Sequence, residues 1–163
     1  MALITKYGTI WGAIPTTAGR VFWVAPTAAY TVEGRSYSAS DDNDGLSPER
    51  ALQTVNRAAT VLVTANAGDV VVMLPGTHVL TAAITVSTAG VTYMGLPSGA
   101  GNRMRQRTVV QATASATCFA LTTGNIELAY LHMVPTTANS AVTISASGNN
   151  SYIHHCSFNM FNA

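Results

Sequence analysis

Three times in its second half this chain repeats one short pattern. An apolar residue, a gap and a second apolar residue are followed three or four positions later by glycine: Ile84-x-Val86 and Gly90, Phe119-x-Leu121 and Gly124, Val142-x-Ile144 and Gly148. Each glycine introduces a second apolar run. Val91-x-x-Met94-x-Leu96 aligns with Leu128-x-x-Leu131-x-Met133 and with Ile153-x-x-Cys156-x-Phe158. The last two units keep nearly one spacing, as the steps from Phe119 to Val142 and from Leu128 to Ile153 show. The step from Gly90 to Gly124 is longer, and the excess is placed in an insertion around positions 98–107. A unit of this length cannot enclose a core. Stacked units can share one, so the pattern predicts an all-β solenoid.

Composition narrows the function classes. Lys and Arg number 8 and Asp and Glu 7, so 9% of the chain is charged, against roughly 25% in an average domain. Hydrophobic residues make up 48%, which excludes a charge-solvated disordered chain. A net charge of +1 argues against a polybasic nucleic-acid binder. No run approaches the roughly 20 apolar residues of a membrane helix, and the first residues lack the pattern of a secretory leader. Cys118 and Cys156 form no zinc spacing or disulfide framework and read as buried thiols.

Positions 1–39 read as an extended arm. Pro15, Pro26 and Thr16-Thr17-Ala18-Gly19 interrupt any period, while Tyr7, Trp11, Phe22 and Trp23 supply aromatics that need a cover. They are the expected partner or assembly contacts, since aromatics dominate interface cores. Positions 40–67 form the next unit, an Asp-rich turn and a helix. Asp41, Asp42 and Asp44 offer oxygen ligands for calcium, but the acid at the twelfth EF-hand position is missing. Turn chemistry is the preferred reading. Ser47-Pro48 should open the helix, with Ala51, Leu52, Val55, Ala58, Ala59 and Leu62 as its apolar stripe. From 68 on, Val70, Val72 and Leu74 alternate and the rungs begin.

Asn43-Asp44-Gly45-Leu46-Ser47-Pro48, the amphipathic helix, Gly68-Asp69-Val70-Val71-Val72 and then Pro75-Gly76-Thr77 resemble the pectate-lyase-like superfamily over positions 40–163. The resemblance implies a right-handed parallel β-helix whose N-terminal end is capped by the α-helix. Members include polysaccharide lyases, glycosidases and phage tailspikes. The arm ahead of the cap looks like virion-appendage proteins. It implies a homotrimeric shaft on a phage particle, anchored to other virion proteins through the arm, with host surface polysaccharide as a further ligand. The rung at 153–161 is followed only by Asn162 and Ala163, so the chain is expected to be the N-terminal part of a longer protein, or to have its end covered by a neighbour.

Catalysis has little to work with in this reading. A glycosidase needs two carboxylates, and Glu127 is the one acid in the later rungs. The rival function is an enzyme whose site lies beyond position 163, or a non-catalytic glycan-binding module. The latter would need a ladder of aromatics, and Tyr93, Tyr130 and Tyr152 do not share a column. Arg103, Arg105 and Arg107 share the insertion and are read as a solvated loop or subunit contact, with an acidic glycan as the other ligand. His154 and His155 are adjacent, and strand alternation would send them to opposite faces. His132 aligns with Ser157. Asn125, Asn149 and Asn150 flank the turn glycines, where Asn tolerates left-handed backbone. No cofactor is expected.

Overall fold

The computed structural model describes residues 19–32, 34–60, 68–96, 108–113, 116–136, 140–145 and 147–159, and the backbone of 61 and 62. These residues are mostly β, and their sheets are parallel apart from one hairpin. In chain order they form β1 (Val21–Val24), the hairpin β2 (Ala29–Val32) and β3 (Arg35–Ser38), a 3-10 turn (Pro48–Arg50) and α1 (Val55–Leu62). Next come β4 (Val70–Met73), β5 (Gly76–Leu80), β6 (Ile84–Val86), β7 (Thr92–Gly95), β8 (Thr108–Ala112) and β9 (Phe119–Leu121). The last five are β10 (Glu127–Ala129), β11 (Leu131–Val134), β12 (Val142–Ile144), β13 (Tyr152–His154) and β14 (Ser157–Phe158).

From β4 onward the chain lays one strand in each of three sheets in rotation. The first sheet runs β1-β4-β7-β10-β13, the second β5-β8-β11-β14 and the third β6-β9-β12. The register of the third sheet is the one the repeats predict: Ile84, Phe119 and Val142 pair in one row, and Val86, Leu121 and Ile144 in another. Leu128 with Ile153 and His132 with Ser157 also pair as aligned.

The register of the first unit is corrected, because Leu128 pairs with Tyr93 rather than with Val91. Leu131 and Met133 pair with Thr108 and Val110. The insertion separates β7 from β8, so the sequence motif ending at Leu96 stops before the corner that its counterparts cross.

Inward side chains from the three sheets meet in one apolar cluster, including Val71, Met73, Tyr93, Val110, Phe119, Leu128 and Met133. Tyr93 meets Phe119 edge to face, with ring centroids 5.6 Å apart. β4 is buried on both faces, which is why it reads as an unbroken Val-Val-Val-Met run. Its outward Val70 and Val72 lie in a second cluster with Trp23, Tyr30, Met94 and Leu96. Tyr30 of β2 belongs to this cluster, and Val32 and Tyr37 of the hairpin pack against it. The Tyr30 hydroxyl ties the hairpin to the 3-10 turn by donating to the Pro48 carbonyl.

The expectation of an arm through position 39 is overturned for its described part. β1 pairs in parallel with β4, from Val21 with Val70 to Val24 with Met73. Phe22 and Trp23 are 1% and 2% exposed, so neither is an exposed assembly contact. The cause is alternation along β1: Phe22 points into the first cluster and Trp23 into the second. Arg20 fixes this strand. Its amide donates to Asp69 Oδ1 at 2.6 Å, and its Nε and Nη2 donate to Oδ2 at 3.1 and 3.0 Å.

The helix also begins later than expected. Ser47 makes no side-chain cap bond. The backbone is extended at Ala51, and Leu52 bridges Val24 along the other edge of β1. The main chain of Gly45 and Leu52 accepts from Trp23 N and Ala25 N at 2.7 and 2.9 Å. An edge that would otherwise template further pairing is thereby occupied. Thr54 then caps α1, its Oγ1 accepting from Arg57 N at 3.1 Å. Val55 and Ala58 join Phe22, Val24 and Leu52 in the first cluster.

A column of left-handed residues marks the corner before the first sheet. Gly68, Gly90, Asn125 and Asn150 have φ of 99°, 72°, 58° and 61°. Gly and Asn are the residues that adopt this conformation most readily. The expectation for Asn125 and Asn150 agrees with this; Asn149 instead offers its carbonyl to Asn125 N at 3.0 Å.

Candidate functional site

The outward face of the first sheet changes character along its length. Val70 and Val72 on β4 lie in the cluster that the hairpin joins. Thr92 on β7 and Glu127 on β10 continue the first of these rows, and Tyr152 on β13 ends it. His154 follows Ala129 in the neighbouring row. Glu127 and His154 are therefore diagonal neighbours on one face, within reach of long side chains.

These residues form a hydrogen-bonded series. Thr92 Oγ1 donates to Glu127 Oε2 at 2.9 Å. Glu127 Oε1 lies 2.7 Å from His154 Nε2. His154 Nδ1 lies 2.7 Å from His155 Nδ1. An ionised carboxylate only accepts, so His154 Nε2 carries a proton. In the neutral ring Nδ1 then accepts, which makes His155 Nδ1 the donor. The remaining His155 nitrogen, Nε2, is left with its lone pair on an exposed residue. Burial is graded: Thr92 is buried, the side chains of Glu127 and His154 are 34% and 20% exposed, and His155 is exposed.

The expectation that His154 and His155 face apart is overturned. β13 ends at His154, and His155 has φ of 52°. The left-handed turn cancels the alternation of a strand and returns the second imidazole to the first. Tyr130, one turn earlier at the same corner, has φ of 57°. Its ring stacks on His155 with centroids 4.9 Å apart and planes 19° apart. Tyr152, 63% exposed, stacks on His154 at 4.6 Å. Tyr93, by contrast, is an interior residue.

The other residues singled out from the sequence lie elsewhere. Asp41 Oδ1 accepts from Gln53 N and Thr54 N at 3.0 and 2.8 Å, and its Oδ2 accepts from Thr54 Oγ1 at 2.8 Å. Asp44 accepts from Leu46 N and pairs with Arg50 at 3.1 Å. This is turn and cap chemistry; among the described residues no group of three or more His, Cys, Asp or Glu could hold a metal ion. Asp42 is not drawn into a calcium site with them.

Tyr7, Trp11, Arg103, Arg105 and Arg107 lie outside the described residues. His132 is 6% exposed, with Nδ1 2.7 Å from Ser157 Oγ. Cys118 is buried and Cys156 half-buried; burial pushes both thiols up, away from the reactive thiolate.

His78 carried no signal in the sequence. It is 3% exposed, and its Nε2 lies 2.9 Å from the Leu74 carbonyl. It lines a cleft of about 160 Å³ with Pro26, Gln53, Thr54, Val55 and Val79. Burial lowers its pKa to about 4.

The series from Thr92 to His155 was missed for a definable reason. The offset that aligns Leu128 with Ile153 also places Glu127 beside Tyr152 and one row from His154, which the alignment could have shown. The turn at His155 could not be read, because positive φ is uncommon for any single His even though the residue type is enriched there. In comparisons with family models, curated proteins and solved structures, nothing matches this chain.

Proposed function

We propose that this chain is a right-handed parallel β-helix, capped by α1 at its N-terminal end, that serves as the shaft of a phage virion appendage such as a tailspike or tail fibre. The observation that carries the reading is the rotation of the chain through three parallel sheets, in which each return adds a strand beside the last. Such a stack is stiff because each turn is bonded along its length to the next. The low charge and the short outward residues of the third sheet, Thr85, Ala120 and Thr143, suit close lateral packing of shafts in a homotrimer. Residues 1–18 are then the anchor to other virion proteins, since the chain from β1 onward is part of the fold.

The test is the mass in solution, by light scattering, of the full chain and of a variant lacking residues 1–18. A trimer in the full chain supports the shaft. Its loss on truncation assigns assembly to the anchor, and its survival assigns assembly to the rungs. Monomers in both samples overturn the trimeric shaft.

A further inference from the structure

We propose that His155 is a general base for hydrolysis of carboxylic esters, with Glu127 and His154 as its positioning residues. Three hydrogen bonds, from Thr92 through Glu127 and His154 to His155, all lie between 2.7 and 2.9 Å. Their donors and acceptors fit one proton arrangement when Glu127 is ionised and the rings are neutral, and it ends on the free lone pair of His155 Nε2. When that nitrogen takes a proton, the positive charge faces His154 and, behind it, the carboxylate. A base oriented by a second group, itself oriented by a third, is the usual arrangement for activating water or a hydroxyl. Tyr130 holds the ring from one side by stacking. Tyr152 leaves most of its surface to solvent next to His154, where an apolar part of a substrate can lie.

The chemistry of the cluster selects the substrate class. Glycoside hydrolysis needs a second carboxyl group, and both oxygens of Glu127 are already engaged. Phosphoryl transfer calls for cations around the transferred group, and among the described residues the contacts of this series include no Lys or Arg. An ester needs one base and one returned proton. Water gives its proton to His155 Nε2 as its oxygen bonds to the ester carbonyl carbon. The adduct collapses with cleavage of the bond to the alcohol oxygen. The imidazolium returns the proton to that oxygen, so ester and water become acid and alcohol with no change of oxidation state.

The probe is ethyl dichloroacetate, whose hydrolysis imidazole catalyses as a base on water rather than as a nucleophile, with the chain compared with free imidazole at equal concentration. The chain is expected to be at least about tenfold faster, below the roughly 10²–10⁴-fold of an optimised base. His155→Asn, which suits the left-handed backbone, is expected to remove the excess with the circular dichroism spectrum unchanged. Glu127→Gln is expected to lower kcat about tenfold with KM unchanged. No excess over imidazole, or an excess that survives His155→Asn, overturns the site. An unchanged kcat in Glu127→Gln overturns the positioning role. The assay does not depend on oligomeric state, so its failure leaves the shaft reading standing and the reverse also holds.

Discussion

Tyr130 and His155 occupy the same corner of successive turns, both with left-handed backbone (φ 57° and 52°), and their rings stack 4.9 Å apart. Tyr is an unusual choice for that conformation, and His, though enriched there among non-glycine residues, still adopts it uncommonly. It costs a non-glycine residue on the order of 1–3 kcal/mol unless the surroundings fix it. The stack and the hydrogen bond to His154 are what fix it here.

Substitution at this corner should therefore depend on backbone tolerance. His155→Val is expected to destabilise the chain by about 1–3 kcal/mol, because a β-branched residue resists positive φ. His155→Asn should stay within about 1 kcal/mol of the parent. Urea unfolding of the two variants measures the difference; equal midpoints would show that the corner is unstrained.

Asp69 is 1% exposed and its carboxylate is held by Arg20, whose side chain is 46% exposed. Arg20→Met keeps an unbranched apolar stem but removes the guanidinium, which lies over Phe22 at 4.9 Å from the ring centroid, and leaves the buried carboxylate with one main-chain donor. Removing a partner from a fully buried pair costs roughly 3–5 kcal/mol. Solvent around the guanidinium reduces this to about 1–3 kcal/mol. Urea is the denaturant of choice because it adds no ions. A midpoint indistinguishable from the parent would remove the pair from the account of how β1 is fixed.

His78 makes stability pH-dependent. Its pKa is lowered from 6.5 to about 4 in the folded chain. Between these values the unfolded chain binds the extra proton, so stability falls as pH drops from 6.5 towards 4. Above 6.5 the ring is neutral in both states and contributes no slope. The full loss is roughly 3 kcal/mol. His78→Gln keeps a donor for the Leu74 carbonyl and cannot titrate. It should flatten the difference between urea midpoints at pH 7 and pH 4.5, relative to the parent. Parallel pH dependence in both proteins would exclude His78 as the source.

Phe22 and Trp23 provide the test of where the fold begins. Phe22→Ala and Trp23→Ala are each expected to cost about 3–5 kcal/mol, a large share of the roughly 5–15 kcal/mol that holds a domain. A variant lacking residues 1–37 loses β1 and its pairing with β4 and is expected to unfold at a lower urea midpoint than the parent. Alanine variants with unchanged stability and altered assembly would return these two aromatics to a surface.

The sequence by itself determined the repeating strands. Ile84, Phe119 and Val142 share a register because inward positions in short parallel strands must be apolar, and that requirement is written residue by residue. Asn125 and Asn150 were legible at their corner for a similar local reason. What only the tertiary structure decided depends on neighbours distant along the chain. The alternating side chains of Val21-Phe22-Trp23-Val24 look the same in an arm and in a strand; pairing with β4, and a hairpin over the outer face, made them core. The helix begins at Val55 because Leu52 is drawn into pairing with Val24, which local propensity cannot anticipate. His154 and His155 meet because a left-handed turn, held by Tyr130 from the preceding turn of the chain, overrides the alternation that adjacent residues would otherwise follow.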